Sequence, residues 1–237
     1  MPLPEALAGS GLPRGFLGPL EACFADSQGG HVLAAVRADP EAAARDLRAA
    51  FTAAAALTGL SPDELVVRSG LLAGDVRGRR VDAAVAELRA VGFLKALGFT
   101  DIVPLGPDDT RPRTDLVARR EGERWAVDAR CASRDLLPEG SFRRGPDGRP
   151  LPYPNLHDYL VHCRADKAEQ LSRTMADERC ERSAVVVALG GIASGDLLRQ
   201  EALRAWLTCG GPADFRFGLM PGLLSGPSPD DCLVPAP

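Results

Sequence analysis

Thr114-Asp115-Leu116-Val117-Ala118-Arg119-Arg120-Glu121-Gly122-Glu123-Arg124-Trp125-Ala126-Val127-Asp128-Ala129-Arg130 is the stretch on which the reading of this chain turns. Residues 114–119 and 124–130 both alternate with period 2, and Glu121-Gly122 lies between them as a turn, the signature of a β-hairpin. With Glu121-Gly122 as the loop, Arg120 faces Glu123. Counting outward then sets Ala118 against Trp125, Leu116 against Val127 and Asp115 against Asp128. A four-residue loop over 120–123 keeps the same register. One face of the ribbon is apolar and seeks a core; the other carries Asp115, Asp128 and, two residues on, Arg130. Directly opposed side chains have Cβ atoms roughly 4.5–5.5 Å apart, and like charges there are destabilising. Two readings follow. Either the acidic pair holds a divalent cation, or the polar face is a solvated charge mosaic in which Arg113, Arg119, Arg124 and Arg130 pair with the two aspartates.

Outward from the hairpin, Val81, Ala84, Leu88, Val91 and Leu94 recur at helical spacing, which predicts a helix over 81–97 with Gly98 as its stop. Phe99 to Leu105 reads as a strand. Earlier, Asp39-Pro40 is an N-cap followed by proline at the first helical position, opening an alanine-rich helix that Gly59 closes. Its apolar stripe is Leu47, Phe51 and Ala54. Ser61-Pro62-Asp63-Glu64 is a capping box that starts a short helix, and 70–79 is a connector. Residues 1–20, rich in Pro, Gly and Ala, are expected to run irregularly over the surface.

After the hairpin, 137–155 is a loop without periodicity that contains Arg143, Arg144 and Arg149 as candidate phosphate contacts. One helix, capped by Asn155 and ending near Asp177, would carry His162, Arg164, Lys167 and Gln170. Ser183 to Leu189 is a continuous apolar run, the mark of a buried strand. A further helix over 196–209 and a strand over 215–220 complete the pattern, and the stretch from Pro221 is expected to be a disordered Pro-rich tail. The expected organisation is a helical region over 1–79, an α/β core over 80–220 and the tail over 221–237.

With 28 Lys and Arg against 32 Asp and Glu, the chain carries a formal charge of −4, so nucleic-acid binding would need a local basic surface rather than bulk attraction. No apolar run reaches membrane-spanning length, and Met1-Pro2-Leu3-Pro4-Glu5 lacks the layout of a signal peptide, which points to a cytoplasmic protein. The six cysteines are scattered with no C-x-x-C, as expected for free thiols in a reducing compartment. His157 and His162, five apart, do not share a helical face, which argues against a zinc site with Cys163.

From Val81 to Leu189 the order helix, strand, strand, strand, helix, strand, with Glu87 on the first helix, Asp115 on the second strand and Asp128-Ala129-Arg130 on the third, resembles the core of the PD-(D/E)XK nuclease superfamily, the restriction-endonuclease-like fold. Ala86 to Phe99 is similar to that core's first helix. Asp115 matches the aspartate of "PD", with Thr114 in place of proline; Asp128 matches (D/E); Arg130 stands where the family has lysine. The resemblance implies a Mg²⁺- or Mn²⁺-dependent hydrolase of DNA phosphodiesters. Asp115, Asp128 and the carbonyl of Ala129 would ligate the ion, and Glu87 would hold a water or a second metal. Arginine stays protonated, so Arg130 could stabilise charge but not take a proton. In that family the basic residue can move to the following helix, where Lys167 lies. A decayed site that only binds DNA is the other form of the same expectation.

Two other function classes fit the sequence. Ser61 to Leu71, followed by the helix with Val85, Leu88 and Leu94, has the cadence of a helix-turn-helix or winged-helix regulator, with Arg79, Arg80 and Arg89 as its DNA contacts. A non-catalytic interaction module would instead dock a partner protein on the alanine-rich helix of the N-terminal region. A homodimer is a further expectation.

Overall fold

The hairpin closes in the register its alternation predicts. Strands β2 (Leu116–Arg120) and β3 (Glu123–Cys131) pair antiparallel, with Leu116 opposite Val127, Ala118 opposite Trp125 and Arg120 opposite Glu123. Glu121 (φ 53°) and Gly122 (φ 86°) both take left-handed backbone, as the twist of a two-residue hairpin loop demands. The structure, a computed structural model, describes residues 3–25, 29–72, 77–108, 110–132, 156–189 and 196–236.

Strand β1 (Thr100–Pro104) flanks the hairpin on one side, while β4 (Arg182–Ala188), β5 (Phe215–Met220) and β6 (Cys232–Val234) extend it on the other. The result is a mixed α/β chain around a six-stranded open sheet in the order β1-β2-β3-β4-β5-β6. Pairs β1–β2, β2–β3 and β5–β6 are antiparallel, whereas β3–β4 and β4–β5 are parallel. Parallel neighbours need crossovers, and helices supply them. Helices α7 (Leu156–Asp166) and α8 (Ala168–Glu178) precede β4, and α9 (Asp196–Thr208) precedes β5. Because helices cover both faces of β4, its apolar run is buried throughout.

Helix α6 (Gly78–Ala96) lies on one face, where its Val81, Leu88 and Leu94 join Leu116, Ala118, Trp125 and Val127 of the hairpin in one buried cluster. Gly218 on β5 permits this approach: a Cβ there would meet Val186 Cγ2 at 2.8 Å and Phe93 Cζ at 3.0 Å. On the opposite face Val185, Val187, Phe215 and Phe217 pack on Leu156 and Leu160 of α7 and on Ala202 and Ala205 of α9. Helix α8 covers Val117 and Ala126 with Met175.

The N-terminal region is more ordered than its composition suggests. Helices α1 (Glu5–Ala8), α2 (Arg14–Ala25) and α3 (His31–Ala38) precede α4 (Pro40–Thr58) and α5 (Pro62–Arg68). Phe16, Leu20, Cys23 and Phe24 recur at helical spacing and bury completely or nearly so, which outweighs Gly15, Gly18 and Pro19 in the same segment. The alanine-rich helix has its expected bounds, with Asp39 Oδ1 accepting from the Ala42 N–H at 3.0 Å and Gly59 at φ 73° closing it. Ser61 and Glu64 form the expected capping box. Leu47, Phe51 and Ala54 are buried in the same cluster as α6, so that stripe is not available to a partner protein. The cluster runs from Leu7 to Leu233, so the boundary expected near residue 79 separates stretches of sequence but not hydrophobic cores.

Two further expectations are corrected. Residues 156–177 do not form one helix: the chain breaks at Lys167 between α7 and α8, and Asn155, the expected cap, lies outside the described residues. The stretch after Pro221 is not a disordered tail, because β6 pairs with β5 and Asp231 is buried against α6. The Arg89 Nη2 donates to both Asp231 oxygens at 2.9 and 2.7 Å, and Asp231 Oδ2 also accepts from the Ser228 N–H at 3.0 Å. No helix among the described residues is long and apolar enough to cross a membrane.

Candidate active site

Strand β2 ends at Leu116, whereas β3 continues to Cys131. Past the pair Leu116–Val127, the edge of β3 has no β2 backbone ladder against it. Asp115 occupies this gap with its side chain: Oδ2 accepts the Ala129 N–H at 2.7 Å. Its position is fixed from the far side, where its own carbonyl accepts from the Leu105 N–H at 2.8 Å. In extended backbone the N–H and C=O of one residue point to the same edge of the strand. The carbonyl of Ala129 therefore opens toward the side that Asp115 occupies.

Asp128 projects from the hairpin's polar face but not into water; it has no exposed surface. The solvated mosaic is therefore ruled out for this residue. The Lys167 Nζ lies 2.8 Å from its Oδ1, and the Arg130 Nε lies 3.4 Å from its Oδ2. Arg130 continues outward to Asp166 through Nη2, so its guanidinium spans two carboxylates. Lys167 is aimed by the break between α7 and α8. It stands at the N-cap of α8, donates to Gln170 Oε1 at 2.7 Å, and reaches Asp128 from there. Helix α8 is in turn tied to the hairpin entry, since Thr174 Oγ1 accepts from the Thr114 N–H at 2.9 Å and Gln170 Nε2 donates to the Arg113 carbonyl.

Glu87 comes from the other face of the sheet, on α6. It meets the remaining groups around the uncovered edge of β3, in a cleft of about 370 Å³ lined by Glu87, Asp115, Ala129, Arg130 and Lys167. The same cleft takes in Arg77, Arg79 and Arg80 at the start of α6. From sequence, Arg79 and Arg80 belong only to the regulator alternative. Their signal was available, because Arg80 and Glu87 are seven residues apart and thus share a helical face. Asp166, the outer partner of Arg130, had no such signal: its place is set by the end of α7 and not by any local pattern.

The electrostatics follow from crowding acids in a poorly solvated place. Burial raises the Asp115 carboxyl to about 7, and the neighbouring Asp128 pushes in the same direction; Lys167, the Ala129 N–H and Arg130 oppose. Glu87 is raised well above the usual carboxylate range, again by burial first and then by Asp115 and Asp128, with Arg80 and Lys167 opposing. Asp166, which is close to solvent, is lowered by its hydrogen bond from Arg130. Perturbed acids that share a cleft are the expected signature of a chemical site.

The donor set suits a hard cation of the Mg²⁺ type: two carboxylates and a backbone carbonyl, with room for water or phosphate oxygens. Among the described residues no three His, Cys, Asp or Glu side chains form a group that could hold a metal ion by themselves. An ion here would thus rest on Asp115, Asp128 and Ala129, completed by solvent or substrate. Asp128 Oδ1 supports that fit, because it is buried and accepts no well-aligned hydrogen bond despite its ion pair.

Arg143, Arg144 and Arg149 lie outside the described residues. Arg89, a proposed DNA contact of the regulator alternative, is buried in its ion pair with Asp231 and cannot reach a duplex. Compared with known proteins, the chain matches no family model, no curated protein and no solved structure.

Proposed function

We propose that the chain is a metal-dependent nuclease that hydrolyses phosphodiester bonds in DNA, built on a restriction-endonuclease-like core of α6, β1 to β3, the α7–α8 pair and β4. The observation that carries the reading is the convergence of Glu87 from α6, Asp115 from the entry to β2, Ala129 from β3 and Lys167 from the α7–α8 junction on one cleft, with arginines among its lining. A bound Mg²⁺ or Mn²⁺ would supply Lewis acidity toward a phosphate oxygen and a more acidic water.

The protein's own groups divide the remaining work. Asp115, Asp128 and the Ala129 carbonyl would hold the cation. Lys167 is ion-paired with Asp128 and gives one of its three donors to Gln170; a further donor can go to a phosphate oxygen. Arg130 cannot accept a proton and serves as a fixed positive charge beside the scissile group. Glu87, whose proton affinity is raised, is the group suited to exchange a proton with the attacking water. Arg77, Arg79 and Arg80 draw the backbone of the nucleic acid to the cleft.

The test is plasmid nicking with Mg²⁺ and with Mn²⁺, alongside thermal unfolding in the same buffers. Wild type should cut and should melt higher with metal, as a ligand of the folded state requires; Asp115→Asn and Asp128→Asn should lose both effects. Absence of cutting over a range of metals, pH values and DNA forms would eliminate the catalytic reading. A second reading, a DNA-binding protein with a silenced site, is favoured by the ion pairs that already neutralise Asp128. It predicts DNA binding that falls with salt and no cleavage.

A further inference from the structure

A second cleft opens at the opposite end of β3, around Trp125, roughly 10 Å along the strand from Asp128 at about 3.3 Å per residue. Its volume is about 200 Å³, and it is lined by Arg120, Glu121, Glu123, Trp125, Arg182, Arg216 and Leu233. Trp125 is only 6% exposed, and its indole N–H has no acceptor among the described residues. The contrast with Trp206 is plain: that indole donates to the Pro212 and Phe215 carbonyls at 3.2 and 3.0 Å. Buried donors are satisfied as a rule, so an orphan that lines a cleft points to an absent acceptor.

Two of the three arginines lining the cleft are matched by carboxylates, and the third is not. Arg182 forks onto Glu123, with two contacts of 2.9 Å, and so uses up that carboxylate. Arg120 pairs with Glu121 at 3.3 Å. Arg216 donates through Nη1 to the carbonyls of Ala213 and Phe215 at 2.9 and 2.8 Å, and no carboxylate of the described residues forms an ion pair with it. Burial and the neighbouring Arg182 lower its proton affinity, while Glu123 and Asp214 oppose.

We propose that this cleft binds a small oxyanion, a phosphate or carboxylate group, held by the guanidinium group of Arg216 with the Trp125 indole N–H donating to a ligand oxygen. Guanidinium forks match the planar pairs of oxygens on both groups, and Leu233 supplies an apolar wall. The volume corresponds to six or seven water molecules at about 30 Å³ each, which admits a small free ligand or one terminal group and excludes a duplex. The site is separate from the acidic cleft and does not depend on the nuclease reading.

The test is a titration of ¹⁵N-labelled protein followed through its two indole N–H resonances, distinguished with Trp125→Phe. Inorganic phosphate and citrate are added at ionic strength held constant with chloride. Saturable movement of the Trp125 resonance, with the Trp206 resonance still, is expected with at least one of them. Arg216→Gln should weaken that binding at least tenfold, and Asp128→Asn should leave it unchanged. If Arg216→Gln does not fold, the wild-type resonance alone decides. No saturable movement up to tens of millimolar, or equal movement with chloride alone, overturns the proposal. Movement with an oligonucleotide but with neither small anion overturns the small-ligand assignment.

Discussion

Lys167→Met removes the ammonium that stands 2.8 Å from a carboxylate with no exposed surface. Breaking a buried ion pair from one side costs about 3–5 kcal/mol, because the remaining charge stays buried without compensation. Two features place this case at the lower end. The Lys167 side chain is 18% exposed, and the Arg130 Nε still lies 3.4 Å from Asp128 Oδ2. The expected loss is therefore about 3 kcal/mol, or about 6–12 °C in melting temperature at roughly 2–4 °C per kcal/mol for a chain of this size. Urea unfolding with circular dichroism gives the free energy directly. The decisive comparison is Asp128→Asn in the Lys167→Met background: a neutral amide needs no cation, so the double variant should recover most of the loss, and the two changes should be strongly non-additive. If Lys167→Met costs less than about 1 kcal/mol, the figure for an exposed pair, or if the two changes simply add, Asp128 does not rely on Lys167 and the account of the site's electrostatics is wrong.

Asp115 titrates near 7 in the folded chain against 3.8 unfolded, so between these values the folded state holds the extra proton and stability falls as pH rises. In Asp115→Asn that part of the decline should vanish between pH 4 and 7, and thermal melts at a series of pH values that stay parallel to wild type would contradict it. Metal binding needs the ionised acid, so stabilisation by Mg²⁺ should grow as pH passes about 7, read as a Tm difference with and without the ion. Asp231→Ala leaves the Arg89 guanidinium buried without its carboxylate and should cost about 3–5 kcal/mol in urea unfolding, with Arg89→Met/Asp231→Leu recovering much of it; a neutral result for Asp231→Ala would mean the C-terminal strand does not dock. Gly218→Val should destabilise by about 1–3 kcal/mol because Phe93 and Val186 already occupy the space, whereas Gly226→Ala, with nothing within 4 Å of its Cβ, should stay within about 0.5 kcal/mol; equal effects at the two positions would refute the close packing of α6 on β5.

Elements whose cause is local were legible in the chain itself. The alternation on either side of Glu121-Gly122 specified the hairpin register, since a slip of one residue would turn Leu116, Ala118, Trp125 and Val127 away from the core. Asp39, Gly59 and the Ser61–Glu64 box marked helix ends because capping is settled within one turn of backbone. The same register sets Asp115 opposite Asp128, but β2 stops at Leu116, and it is the Ala129 N–H that holds the Asp115 side chain against β3. What fills the space around them was not legible in the same way. Lys167 reaches Asp128 only because the chain breaks between α7 and α8, and Glu87 joins only because α6 crosses the edge that β2 leaves uncovered. Arg89 and Asp231, 142 residues apart, carry no periodic mark that links them, yet their pairing turns an expected loose tail into part of the core. Periodicity and capping record how a chain meets its own near neighbours; the burial of a charge, and the choice of what neutralises it, depend on which distant segments share its space.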